Sequence, residues 1–236
     1  MTHLGNMLER VLPRGDCMLC GQPGCPRALC PACRADIPRL PAEQCPCCAL
    51  PTPAGQVCGA CLRHPPAFDA TLVACRYGFP LDGLIQSFKY GHRLAVAPLL
   101  AKLMATVPPP PADLLLPVPL SAAHLRERGF NQAVEIARPL GRRFGLPLEL
   151  DACIRIGDAP RQAGLPWDQR RRNVRHGFEC RADLTGQHVL VLDDVMTTGA
   201  TLDELARTLK RHGAARVTNW VVARAVRDGQ GSGKGK

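Results

Sequence analysis

From residue 70 onward, short apolar runs alternate with amphipathic stretches, the pattern of a strand–helix–strand protein. Residues 70–74 (ATLVA) read as a strand and 81–90 as a helix. A second helix over 94–106 is stopped by Val107 and the four prolines at 108–111, which cannot continue it. Residues 113–118 (DLLLPV) form the next strand, and 121–138 a helix that turns from polar to amphipathic. HVLVL at 188–192 is an uninterrupted apolar run of the kind covered on both faces of a parallel sheet. A helix from Thr201 sets Leu202, Leu205, Ala206 and Leu209 on one face, ends in Lys210-Arg211-His212 and meets Gly213 where a left-handed cap is needed. Residues 216–223 then supply a strand. Strands alternating with helices predict an α/β domain on a parallel sheet over 67–227, and the Gly, Ser and Lys of 228–236 predict a disordered tail.

Residues 1–64 break this pattern. Ten of the 13 cysteines lie between Cys17 and Cys61, and shifting the first half of that segment by 28 positions superimposes Cys17, Cys20, Cys30 and Cys33 on Cys45, Cys48, Cys58 and Cys61. Both halves read C-x2-C-x9-C-x2-C. A CxxC turn aims two thiolates at one ion, and a second such turn completes a tetrahedral zinc site. Two structural zinc sites of four cysteines follow, with pairing across the repeat, Cys17/Cys20 with Cys45/Cys48, as an alternative. A disulfide framework is disfavoured in a reducing compartment, and redox CxxC chemistry needs one pair rather than four. A segment this short and rich in Pro and Gly cannot bury enough apolar surface alone, so metal supplies most of its ordering energy. Cys25, Cys47, Cys75, Cys153 and Cys180 fall outside the repeat and read as spare thiols.

The run at 189–201 (VLVLDDVMTTGAT) carries the candidate chemistry: a strand, two carboxylates, a small-residue loop and a helix start. In open α/β sheets ligands bind beyond the carboxyl ends of the strands, where the free N–H groups of the next helix receive phosphate. Gly199 permits close backbone approach, Thr197, Thr198 and Thr201 offer hydroxyls, and Asp193 and Asp194 stand where they can accept from sugar hydroxyls. No G-x-x-x-x-G-K-[ST] occurs, and a dinucleotide fingerprint lacks the two leading acids.

The 189–201 string resembles the signature of type I phosphoribosyltransferases. With the cysteine module, the Arg126–Gln132 stretch (RERGFNQ) and Arg172-Asn173-Val174, the chain resembles the ComF family of competence proteins over nearly its whole length. The resemblance implies that Asp193 and Asp194 hold the ribose hydroxyls of phosphoribosyl pyrophosphate and form the catalytic pair if transfer occurs. It implies that Thr197, Thr198, Gly199, Ala200 and Thr201 hold the 5-phosphate, and that the diphosphate lies near Ser121 with help from Arg126 or Arg128. A bound Mg²⁺ would accompany the diphosphate. Transferases of 6-oxopurines place an acid where this chain has Thr197, which argues against purine salvage.

The net charge of +10, with 25 Arg against 5 Lys, suits a polyanion and adds single-stranded DNA and DNA-uptake proteins to the partners implied by the resemblance. The alternative is a non-catalytic nucleic-acid-binding or regulatory protein that uses the fold as a nucleotide-sensing platform. Six arginines between Arg155 and Arg175, with Trp167 among them, read equally as a flap over the site, a solvated basic loop or a groove for nucleic-acid backbone. No run is long and apolar enough to span a bilayer, and the first residues lack a basic-then-apolar leader, so a cytoplasmic protein is expected.

Overall fold

The protein is described by a computed structural model over residues 15–25, 28–156 and 177–226. Along the chain run α1 (Pro31–Ala35), α2 (Gly59–Arg63), β1 (Ala70–Arg76), α3 (Leu81–Tyr90), α4 (Ala97–Met104), β2 (Leu114–Pro117), α5 (Ala122–Arg128), α6 (Gln132–Phe144), β3 (Cys153–Arg155), β4 (Phe178–Cys180), β5 (His188–Met196), α7 (Ala200–Arg211) and β6 (Arg216–Arg224). The predicted parallel sheet is present, in the order β1-β6-β5-β2.

Each face of the sheet has its own apolar cluster. Leu190, Leu192, Trp220 and Val222 pack with Leu84 and Phe88 of α3, Leu100 of α4, and Ile136 and Leu140 of α6. On the other face Val189, Val191, Val217 and Val221 pack with Leu202, Leu205 and Leu209 of α7 and with Cys153, Phe178 and Cys180 of the β3–β4 hairpin. Each fully buried Leu or Val contributes about 1.5–3 kcal/mol of transfer free energy. The two cysteine modules divide between the faces: Cys17, Leu29, Cys30 and Ile37 join the first cluster, and Cys45, Cys48, Ala49 and Cys61 the second.

Several element boundaries differ from the expected ones. The helix expected over 121–138 is two helices, because Gly129 adopts φ +72 at the end of α5 and the Asn131 side chain caps α6 by accepting from the Ala133 N–H at 2.9 Å. α6 then runs through Pro139 to Phe144, held by its buried face of Ile136, Ala137, Leu140 and Gly141. The helix expected over 94–106 starts as a 3₁₀ turn at Leu94–Val96, and α4 begins beside Pro98, whose fixed φ suits a first turn. β5 extends to Met196, four residues past the apolar run, because β6 stays in register beside it as far as Arg224. The β3–β4 hairpin is too short for its alternation to show in the sequence. Most of the arginine-rich 155–175 segment, Trp167, Asn173 and the 228–236 tail lie outside the described residues. Arg155, at the end of β3, sits over the Phe178 ring at 5.6 Å.

Candidate phosphate cup and metal centres

Four sulfurs about 2.3 Å from one ion lie roughly 3.8 Å from each other in a tetrahedron. Here the sulfurs of Cys17, Cys20, Cys30 and Cys33, and those of Cys45, Cys48, Cys58 and Cys61, all lie within 4.8 Å of one another in their cluster. The Cys20–Cys30 and Cys48–Cys58 separations are 3.8 and 3.6 Å. In equivalent places of the repeat, the N–H of Cys30 donates to Cys17 Sγ and that of Cys58 to Cys45 Sγ, contacts that favour thiolates. The donor set fits structural zinc, and each cluster is drawn from one half of the repeat rather than across it. Of the other thiols, burial pushes Cys75 up to about 11 and Cys153 up to about 12, the chemistry of packed, protonated side chains.

The phosphate-loop candidate, 197–199, joins the end of β5 to the start of α7. Gly199 has φ +82, which favours glycine, and a Cβ there would fall 2.6 Å from Met196 Cε, a terminal methyl that would have to swing aside. Thr198 Oγ1 accepts from the Ala200 N–H at 3.3 Å, Thr197 is exposed, and Thr201 lies in the first turn of α7. Among the described residues, the N–H groups of Thr197, Thr198 and Gly199 have no protein acceptor.

The two acids differ. Asp194 is 3% exposed, and its Oδ2 lies 2.6 Å from Lys89 Nζ on α3. Asp193 is half-buried, and its Oδ1 accepts from the Asp194 N–H at 2.8 Å. Burial, and after it the neighbouring Asp194, push the Asp193 carboxyl well above the usual range, with Lys89 opposing. The residues expected at the diphosphate also part company. Ser121 is buried as the cap of α5, its hydroxyl 2.8 Å from the His124 ring; Arg128 is buried, donating to Gln132 at 3.0 Å and covering the Tyr90 ring; Arg126 is exposed.

Lys89 and Arg224 are site residues that the sequence reading missed. Arg224, 3% exposed at the end of β6, donates Nε to Cys48 O at 2.8 Å and Nη1 to the carbonyls of Met196 at 3.1 Å, Thr197, and Ala225 at 2.8 Å. A cleft of 470 Å³ opens between the second cysteine module and the loop, lined by Arg63, His64, Phe68, Thr197, Thr198 and Arg224 among others. The chain between α2 and β1 is tied to α7, since the Ala67 N–H donates to Asp203 at 2.6 Å.

A parallel sheet that delivers two acids and a glycine loop to the start of a helix defines a phosphoribosyltransferase-fold protein, here with two cysteine ribbons in front. Residues 131–233 match the phosphoribosyl transferase domain and residues 7–62 the double zinc ribbon domain. The chain is 32% identical over 191 residues to DNA utilization protein YhgH of Escherichia coli, covering 77% of this chain and 84% of that one. It is 30% identical over 181 residues to competence protein F of Haemophilus influenzae, covering 72% and 79%. Among solved structures, an allosteric regulatory enzyme of purine biosynthesis is 22% identical with a TM-score of 0.40, over 58% of this chain and 29% of that one. The chain belongs to the ComF family. Among the described residues no helix is long and apolar enough to cross a membrane.

Proposed function

We propose that the protein binds phosphoribosyl pyrophosphate in the cup formed by Asp193, Asp194 and the 197–201 loop, and that it serves DNA uptake, as the names of its relatives suggest. The observation that carries this is the loop itself: unpartnered N–H groups and a left-handed glycine at the start of α7, directly after two carboxylates. The N–H groups and the helix dipole receive the 5-phosphate, while Asp193 accepts from the ribose hydroxyls. Asp194, already paired with Lys89, holds that cation at the cup's edge, where an anionic ligand draws on it. Mg²⁺ carried by the diphosphate would neutralise charge on that group, and Asp193 is a carboxylate that would hold it. Arg126 is the exposed cation of the three diphosphate candidates, so it takes that role in this reading. Titration calorimetry with phosphoribosyl pyrophosphate and Mg²⁺ is the test. Binding should be lost in Asp193→Ala combined with Asp194→Ala, and equal binding by that double variant and the wild type defeats the reading.

A second reading, contact with single-stranded DNA, is favoured by the cleft, where Arg63 and His64 on the second ribbon stand across from the loop. Mobility shifts across a salt series test it, with affinity falling steeply as salt rises and Arg63→Ala flattening the slope. Absence of any shift at low salt removes this reading and leaves the first untouched.

A further inference from the structure

Arg224 presents an electrostatic problem. Its guanidinium is buried, and among the described residues it forms no ion pair with a carboxylate. Carbonyl oxygens satisfy its hydrogen bonds, but they do not cancel its charge. The anion within reach is the second cysteine cluster: Nε donates to the carbonyl of Cys48, itself one of the four cysteines. Four thiolates outweigh one divalent zinc ion, so a loaded cluster is anionic and can serve as counter-charge.

The same guanidinium holds the loop. In a planar trans peptide the C=O and the following N–H point in opposite directions. Drawing the carbonyls of Met196 and Thr197 towards Arg224 therefore turns the N–H groups of Thr197 and Thr198 away from it. These are the N–H groups left without a protein acceptor.

We infer that Arg224 is a positioning residue that couples the second cysteine cluster to the phosphate loop: the cluster supplies its counter-charge, and it in turn aims the loop N–H groups. This rests on the reading that the loop binds phosphate. The coupling is reciprocal, so a ligand on the loop protects the second cluster and loss of that cluster weakens the ligand. The first cluster is set differently: Cys17 and Cys30 belong to the apolar core that side chains of α3 and α4 also join.

The test uses the full chain loaded with zinc, in wild-type, Arg224→Met and Arg224→Lys forms. A chelator and a thiol-alkylating reagent are added, and alkylation of each cysteine is followed by mass spectrometry. Arg224→Met should speed alkylation of Cys45, Cys48, Cys58 and Cys61 about tenfold relative to the first four, the effect of losing one charge-assisted hydrogen bond or more. Arg224→Lys keeps the charge but not the fork, so it should spare the cluster while weakening phosphoribosyl pyrophosphate by a similar factor in calorimetry. Unchanged relative alkylation of the two clusters in Arg224→Met overturns the coupling. If Arg224→Met fails to fold, Arg224→Lys decides: wild-type affinity in that variant overturns it. If the wild type binds no phosphoribosyl pyrophosphate, the phosphate reading of the loop fails, and the alkylation ratio in Arg224→Met, or in Arg224→Gln should the methionine variant not fold, still decides the tie between Arg224 and the cluster.

Discussion

The two cysteine clusters share one spacing and one local geometry, yet they abut different surroundings. The first is continuous with the apolar side chains of α3, α4 and α6, on the sheet face that sends Lys89 to Asp194. The second lies against α7 and the loop, and Arg224 bonds to it directly. A duplicated motif has thus kept its metal chemistry while its neighbours diverged. The repeat explains how each ribbon folds; the contacts outside it set what each can influence.

The sharpest way to break this comparison is to remove one cluster at a time. A lost structural zinc site costs on the order of 10 kcal/mol of apparent ordering energy, so Cys20→Ser and Cys58→Ser should each unfold one ribbon, read by zinc content and circular dichroism. Only Cys58→Ser is expected to weaken ligand binding as well. Next in size, Lys89→Ala leaves the Asp194 carboxylate buried without its cation and should cost about 3 kcal/mol in denaturant unfolding. Most of that loss should return when Asp194→Asn is added. Gly199→Ala must hold alanine at a left-handed φ against Met196 and should cost about 1–2 kcal/mol, with weaker ligand binding but normal zinc content. The smallest effect is with pH. Asp193 is raised in the folded protein, so below the ordinary carboxylate range both states are protonated and it contributes nothing; as pH rises the unfolded chain ionises first and stability falls until the folded value is passed. Ligand affinity runs the other way, strengthening as Asp193 ionises. Asp193→Asn should flatten both pH profiles.

What could be read in advance divides along the same line between local and distant. The CxxC spacing and the strand–acids–glycine–helix order are short-range geometry, and residues 17–61 and 189–201 announce them directly. Helix capping inside an amphipathic run is harder to see: Gly129 and Asn131 look like helix residues until the chain on either side is packed. Lys89 and Arg224 carried no signal at all, since one looks like an exposed helix lysine and the other like the last residue of a strand. Arg224 meets Cys48 across 176 positions of sequence, a pairing that no local pattern encodes.

Among the described strands β6 comes last in sequence, yet it lies between β1 and β5. Its partnership with β1 joins positions such as Thr71 and Asn219, 148 apart. During synthesis β5 and β2 can pair and both ribbons can take up metal, but β1 waits without a neighbour until 216–224 arrive. The guanidinium that orients the loop comes at the end of that same strand, so the ligand cup waits on one of the longest-range pairings of the sheet.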